Sequence, residues 1–516
     1  MRTHDSHATI RLCRAPLALC LGAALALGTT PGTATAASPG TPFHRLGGGP
    51  LLAGLAERAP SVRRMHHDTP HPDGGLVIPV TSCADDGSDG TLRHAALVAA
   101  SGDTLDLSAL TCSTITLESG AINVDVADLD IIGPGASELT IDGADADRVI
   151  RHGGSGEIDI SGVTLAHGHY TAPSLPMAYG GGCLYSQGTV SLSGVVVTSC
   201  TATGPYVVAG GGILAFNGAI LFYSTVSDSS AISTTGVETS TSAVGGGVVS
   251  AAQLVIEHST ISGNLATTAL GNAYAGGAFG SGSVLVKYST FSDNAVTTGN
   301  VEGSMHYGIG GALAASAPFV QNSTFDNNSA DAGAGVYLLS GSAPATFRNS
   351  TISGNHAAVL AGAALSNGDI TLHNSTIAFN DSGFRGGGGL FVNGSSAEIV
   401  SSIIANNTPS GPEAAADLDG SAAVTGSNNL IKVSGIPVPP DTITLDPQLG
   451  SLAWNGGETR THALPSTSPA HDTGLNANNF DYDQRGTGYP RVDATDPDIG
   501  AYELDPDIIF VDGFGN

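Results

Sequence analysis

The chain is 516 residues long, and its 72 Gly, 26 Pro and single Trp accompany only 12% charged residues. With 41% hydrophobic residues this is not the composition of a disordered chain, and the glycines follow no three-residue period, which excludes collagen. A net charge of -28, with Lys287 and Lys432 as the only lysines, excludes nucleic acid or an anionic membrane surface as the main ligand.

Arg2, Arg11 and Arg14 precede the apolar run from Ala15 to Leu27, and Ala34-Thr35-Ala36 follows. That order is the order of a secretory signal peptide, so residues 1–36 are expected to be removed on export. No other stretch reaches the ~18–20 continuous apolar residues that span a bilayer. Residues 37–79 carry Pro, Gly and Arg with His66, His67 and His71 but no apolar period, and read as a flexible linker or pro-segment. The cysteines after the signal are Cys83, Cys112, Cys183 and Cys200, spaced too widely for a zinc ribbon. Three pairings are open. Cys83 with Cys112 and Cys183 with Cys200 is preferred, because each pair brackets one strand-turn-strand unit, and four unpaired buried thiols are the alternative.

From about Val80 the chain repeats. STVSDS at 224, STISGN at 259, STFSDN at 289, STFDNN at 323, STISGN at 350, STIAFN at 375 and SSIIAN at 401 recur at steps of 35, 30, 34, 27, 25 and 26. Between them stand glycine clusters followed by short apolar runs, such as GGGILAF at 210 and GGAL at 310. No helical period appears anywhere in this region. Units this short cannot bury their own apolar face, so they must stack as coils, about 4.8 Å apart. Stacking puts Ser259, Ser289, Ser323, Ser350 and Ser375 in one inward row beside Val226, Ile261, Phe291, Phe325, Ile352 and Ile377. Three residues on, Asn264, Asn294, Asn328, Asn355, Asn380 and Asn406 form an amide ladder at a turn where Asn tolerates left-handed backbone.

Between the ladder and the next glycines the chain inserts 9 residues after Cys200, 15 after Ser229, 11 after Asn264 and 15 after Asn294, but 6 after Asn355 and 5 after Asn380. Long loops are expected at one corner of the N-terminal half. Tyr179, Tyr206, Tyr274 and Tyr307 lie in them, either as a sugar-stacking wall or as packing for the loops. A second stripe lies two residues before each repeated Ser: Phe222, Glu257, Lys287, Gln321, Arg348 and His373. The next positions are Tyr223, His258, Tyr288, Asn322, Asn349 and Asn374, and both sets are expected to face outward. Glu257, Lys287, Tyr288, Arg348 and His373 would then line a glycan-binding face, against the plainer reading of a solvated surface with a Glu257–Lys287 ion pair.

The paired GGAF with FSDN (Phe291 to Asn294) and GGAL with FDNN (Phe325 to Asn328) resemble the repeats of the polymorphic outer-membrane-protein family. DDGSDGTLRHA at 85, TIDGADADRV at 140, DYDQRGTGYPRV at 481 and PDIGAYEL at 497 resemble secreted β-helix proteins of the choice-of-anchor type. The resemblance implies an all-β fold, a single-stranded right-handed parallel β-helix of the pectate-lyase-like kind. It is placed over residues 80–433, closed by a C-terminal cap at 434–504, with a tail at 505–516. The tail, DIIFVDGFGN, resembles a terminal sorting tag of exported Gram-negative proteins. The resemblance implies a monomer at the outside of such a cell, contacting a polysaccharide or cell-surface glycan without cleaving it.

The alternative is a polysaccharide lyase or glycoside hydrolase on the same fold. A lyase needs a base and Ca²⁺ held by clustered Asp, yet Lys287 is the only Lys or Arg between Arg151 and Arg348. A hydrolase needs converging carboxylates, for which the candidates are Asp125, Asp128 and Asp130, then Asp142, Asp145 and Asp147, then Asp481, Asp483, Asp493, Asp496 and Asp498. Solvated or salt-bridged turns are the preferred reading for all three, as is a polar strand end for His167 and His169. No catalytic residue, metal or cofactor is therefore assigned.

Overall fold

The computed structural model describes residues 75–173, 179–234, 241–299, 307–341, 343–383, 387–409, 417–493 and 496–505, all within one unit spanning Pro50–Asn516. The expected signal peptide, most of the linker with its three histidines, and the tail beyond 505 lie outside the described residues.

Each repeat is one coil, and successive coils hydrogen-bond in parallel register. Three sheets of 13, 12 and 11 strands form the walls, and the coils fill them in rotation. The Thr-apolar-Ser triplets make the 12-stranded wall, from Thr114–Thr116 to Leu430–Ile431. Alternation sends Val226, Ile261, Phe291, Phe325, Ile352 and Ile377 inward, where all are buried. Phe291 and Phe325 stack at 4.8 Å, one coil apart. This is a parallel β-solenoid with an apolar core that runs its length.

Two polar ladders hold the corners. The Oγ of Ser259 accepts the N–H of Ser224 at 3.1 Å and donates to the carbonyl of Glu257, and the pattern repeats at Ser289, Ser323, Ser350 and Ser375. The amides run from Asn264 through Asn294, Asn328, Asn355 and Asn380, each Nδ2 donating to the next Oδ1 at 2.8–3.0 Å. The next rung is Asn407, not Asn406, because Ile403 pairs with Thr376 and puts Ser402 rather than Ser401 in the serine row. The left-handed residue also differs from the expectation. It precedes the ladder amide, at Asp293, Asn327, Phe379 and Asn406. The amides themselves are buried, where no water competes for their hydrogen bonds.

Where they are described, the inserts are strands rather than loops. They form outgoing strands such as Thr201–Gly204 and Leu265–Thr268, and returning strands such as Val207–Ala209 and Asn272–Tyr274, in a 14-stranded sheet of their own. Ala202, Ala231, Ala266, Ala243 and Ala273 fill the space between. Small side chains let the two layers close up, and the glycine cluster then returns each coil to the wall. At Gly246 a Cβ would fall 2.4 Å from the Gly276 carbonyl, which is why that site is glycine.

Among the described residues a single short helix, α1 (Leu92–Val98), lies at the N-terminal end, where no helical period is read; it buries Leu92, Ala95 and Ala96. Thr91 caps it. Arg93 clamps Asp85 through two hydrogen bonds at 2.8 and 2.9 Å and donates to the carbonyls of Gly120 and Ala121. The DDGSDGTLRHA segment is thus a structural lock.

The C-terminal region begins on the last coil, where Ser434 and Ile443 pair with Leu418 and Leu430 and where Ile436 and Val438 pack against the core. Residues 450–493 and 496–504 run back along the flank as a strap over the outer face of the 12-stranded wall. Thr324 donates to the Arg460 carbonyl, Thr351 to Gln484, and the Ala501 N–H to Thr376. Leu464, Ala470, Ile499 and Tyr502 pack on Ile403 and Ala405. The strap is pinned by Arg485, which is buried, paired with Asp483 at 2.7 Å and sandwiched by Tyr489 and Tyr502 at 4.1 and 4.0 Å. The disulfides are Cys83–Cys112 and Cys183–Cys200.

Candidate functional site

The stripe before each repeated serine lies at the corner between the 13- and 12-stranded walls. The corner residues Tyr223, His258, Tyr288, Asn322, Asn349 and Asn374 all have positive φ, from 43° to 52°. That conformation turns the chain and throws the side chain outward. What it meets depends on the coil. Asn322, Asn349 and Asn374 are covered by the strap, and each Nδ2 donates to a strap carbonyl: Asp483 and Gln484, Tyr482, and Leu475.

Two of the five residues expected to form the glycan face, Arg348 and His373, lie on this part of the corner. His373 is buried, bonded to Asn478 and 3.6 Å from Glu398. Burial, with the Arg348 charge, holds its imidazole below the ordinary range against the pull of Glu398. Arg348 lies 5.2 Å over the Phe319 ring, and burial lowers its guanidinium as well. Register places Arg348 beside His373 and Glu257 beside Lys287, as coil spacing requires. No ion pair joins Glu257 to Lys287 among the described residues, and Glu257 is buried at 7% exposure.

The strap reaches the corner at Glu458, which bonds His258 Nδ1, and at Gly486, beside Tyr288. Beyond that the corner is open. Tyr223, His258 and Tyr288 form one continuous ring stack, with centroids 4.7 and 4.9 Å apart and planes 19° and 5° from parallel. Tyr223 is 57% exposed. Desolvation, then Glu458 and Glu257, push the Tyr288 phenol up. Corner identity therefore grades with cover: amides where the strap lies over the corner, rings where it only touches the corner at His258 and Tyr288 or leaves it exposed at Tyr223. That switch is visible in the sequence, and Tyr223 and His258 could have been singled out by it.

The four insert tyrosines do not share a row. Tyr179 is in register with Val208, Tyr274 with Val244 and Ile309, and Tyr307 adjoins Gly308, which pairs with Ala273. Tyr206 precedes Val207 and is half-buried, while Tyr274 is buried. The side chain of Tyr179 lies outside the described residues.

The acidic clusters are largely turn-holding. Asp125 pairs with Arg151 and Asp142 with His167. Asp128 accepts from Glu157 N–H. The exception is Asp130, which register stacks directly on Asp159 on the outer face of the 13-stranded wall. Burial, Asp130 and Glu157 push the Asp159 carboxyl up to about 7, against a hydrogen bond from Ser191. Asp159 escaped notice because only the pairing of its strand with Leu129–Ile132 brings it to Asp130. Near the strap, His471, Asp472 and Asp498 have donor atoms within 4.8 Å of one another, but both Asp498 oxygens already accept backbone N–H groups, from Asp472 and Leu504.

The family model for the right handed beta helix region matches residues 149–377. No curated protein matches the chain. Among solved structures, the crystal structure of pectate lyase Pel9A aligns at a TM-score of 0.38 and 13% identity, over 84% of this chain and 98% of that one.

Proposed function

We propose that this chain is an exported β-helix that contacts polysaccharide at the outside of the cell without cleaving it. The observation that carries this reading is the ring stack Tyr223–His258–Tyr288 beside Lys287, whose end at Tyr223 the strap leaves exposed on a rigid wall. Aromatic rings fixed on strands stack on sugar C–H faces at little entropic cost, and the flanking Lys287 offers hydrogen bonds to hydroxyls. The two disulfides support export, since such bonds persist in oxidising compartments. Among the described residues no helix is long and apolar enough to cross a membrane. Binding of the full chain to a panel of soluble polysaccharides tests the reading, and a chain that binds none of them overturns it.

One observation favours a second reading, an extracellular glycoside hydrolase. Asp130 and Asp159 are stacked on neighbouring coils with one carboxyl held up to about 7, the pairing of an acid with a carboxylate that glycosidic cleavage uses. Release of reducing ends by the wild type, lost in Asp159→Asn, would establish it. A reducing-end and unsaturated-product assay without turnover, with and without Ca²⁺, leaves the binding reading.

A further inference from the structure

The ring stack ends at Tyr223. Strand register makes Gly194 the corner residue of the coil before Tyr223, since Ser193 pairs with Phe222 and Phe222 with Glu257. Gly194 keeps the same turn, with φ 61° against 46° at Tyr223, and its N–H bonds the Phe222 carbonyl at 3.0 Å. The coil is therefore continuous there and lacks only the side chain. A Cβ built on Gly194 meets nothing within 4 Å among the described residues. One face of Tyr223 is held against His258, and Phe222 braces the ring edge-on at 4.5 Å. The other face looks onto the corner of Gly194 and, one coil further, that of Gly162, which register places there with the same φ of 61°, so neither position carries a side chain and a gap is left; coils are spaced about 4.8 Å apart, the spacing at which a ring stacks.

Among the described residues no cation flanks the gap, and Asp159 stands two residues before Ser161 on the same outer face. Ser161 and Ser193 pair on the 13-stranded side, and Thr164, Val196 and Thr225 succeed one another on the 12-stranded side. Glu257 and Lys287 lie beyond Tyr223, on the coils away from the gap.

From this we infer that the gap over Gly194 is a subsite for one neutral pyranose ring, which stacks its C–H face on Tyr223 in place of the absent side chain and directs hydroxyls to Ser161, Ser193 and Thr225. The inference rests on the polysaccharide-contact reading and adds to it the position of one sugar and its class. Lysine or arginine would be needed there to hold a uronate, and the gap has neither.

The test uses the full chain and calorimetric titration with neutral oligosaccharides of cellulose, xylan and galactan, and with oligogalacturonate as the charged probe. Gly194→Tyr tolerates the backbone as Tyr223 does and fills the gap; Tyr223→Ala removes the platform at an exposed site and leaves the core intact. Each is expected to weaken binding of a neutral oligosaccharide about tenfold or more, with the melting transition retained. Unchanged binding in folded Tyr223→Ala overturns the subsite while leaving polysaccharide contact in place. Preference for oligogalacturonate overturns the neutral class. Failure of the wild type to bind any probe overturns the contact itself, and the subsite with it.

Discussion

One carboxylate oxygen of Asp417 accepts both the backbone N–H and the Nδ2–H of Asn407, each at 2.9 Å, and so terminates the amide ladder. Its second oxygen accepts the N–H of Val433 at 3.0 Å. Each ladder amide passes one acceptor back and one donor forward, so the last rung must accept without donating. Aspartate does this, and an amide in its place would aim a donor at the Val433 N–H. Asp417→Asn is expected to destabilise the chain by about 1–3 kcal/mol, seen as a lower denaturant midpoint at unchanged slope.

Within the ladder the cost is larger. Asn355→Ala strands the Asn328 N–H, removes the acceptor of the Asn328 Nδ2–H and takes one donor each from Asn380 Oδ1 and the Phe325 carbonyl, in a buried wall. A loss of about 4 kcal/mol is expected by equilibrium unfolding, against less than about 1 kcal/mol for alanine at exposed Asp89.

Stability should fall as pH rises above 6.5. Asp159 is held up to about 7 and Glu503 to about 8, burial being the first cause for each. A group whose folded pKa is raised contributes stability that is fully present below its unfolded value and lost as pH rises through the folded one. Buried His152 and His462 are shifted down, so their contribution is present above 6.5 and lost as pH falls. Above 6.5 the carboxylates act unopposed by them. The melting temperature of Asp159→Asn relative to wild type is expected to increase between pH 5 and pH 8; a constant difference would contradict the assignment.

Arg485→Ala should loosen the strap before the solenoid. It leaves Asp483 buried without its guanidinium and empties the space between Tyr489 and Tyr502, a loss of about 3–5 kcal/mol. Limited proteolysis is expected to cut within residues 450–493 while the fragment from 75 onward stays protected. Simultaneous loss of both would mean that strap and wall unfold as one.

Replacing Cys183 and Cys200 by serine opens a link between residues 17 apart and should cost about 3 kcal/mol. The effect should be read at the N-terminal coils, because the Cys200 N–H bonds Ser229 at the head of the ladder. Hydrogen exchange near Thr201–Gly204 is the measurement.

The solenoid was legible because a coil repeats its chemistry each time it passes a given wall: the serine row and the apolar row follow from spacing, whereas three cysteine pairings stayed open until the structure showed the preferred one. Spacing alone slipped by one residue at Asn406 and Asn407, where two adjacent asparagines offer the same side chain and only backbone register separates them. The insert strands escaped because their core is alanine, which carries little hydrophobic period. The strap could not be anticipated at all. Nothing in residues 450–504 repeats, and its contacts with Asn322, Asn349 and Asn374 join positions more than 100 residues apart. Composition and period thus determined what each coil is made of, since those are local properties. Which half of the corner stays open to a ligand was decided only when the chain folded back on itself, since cover is a property of the assembled surface.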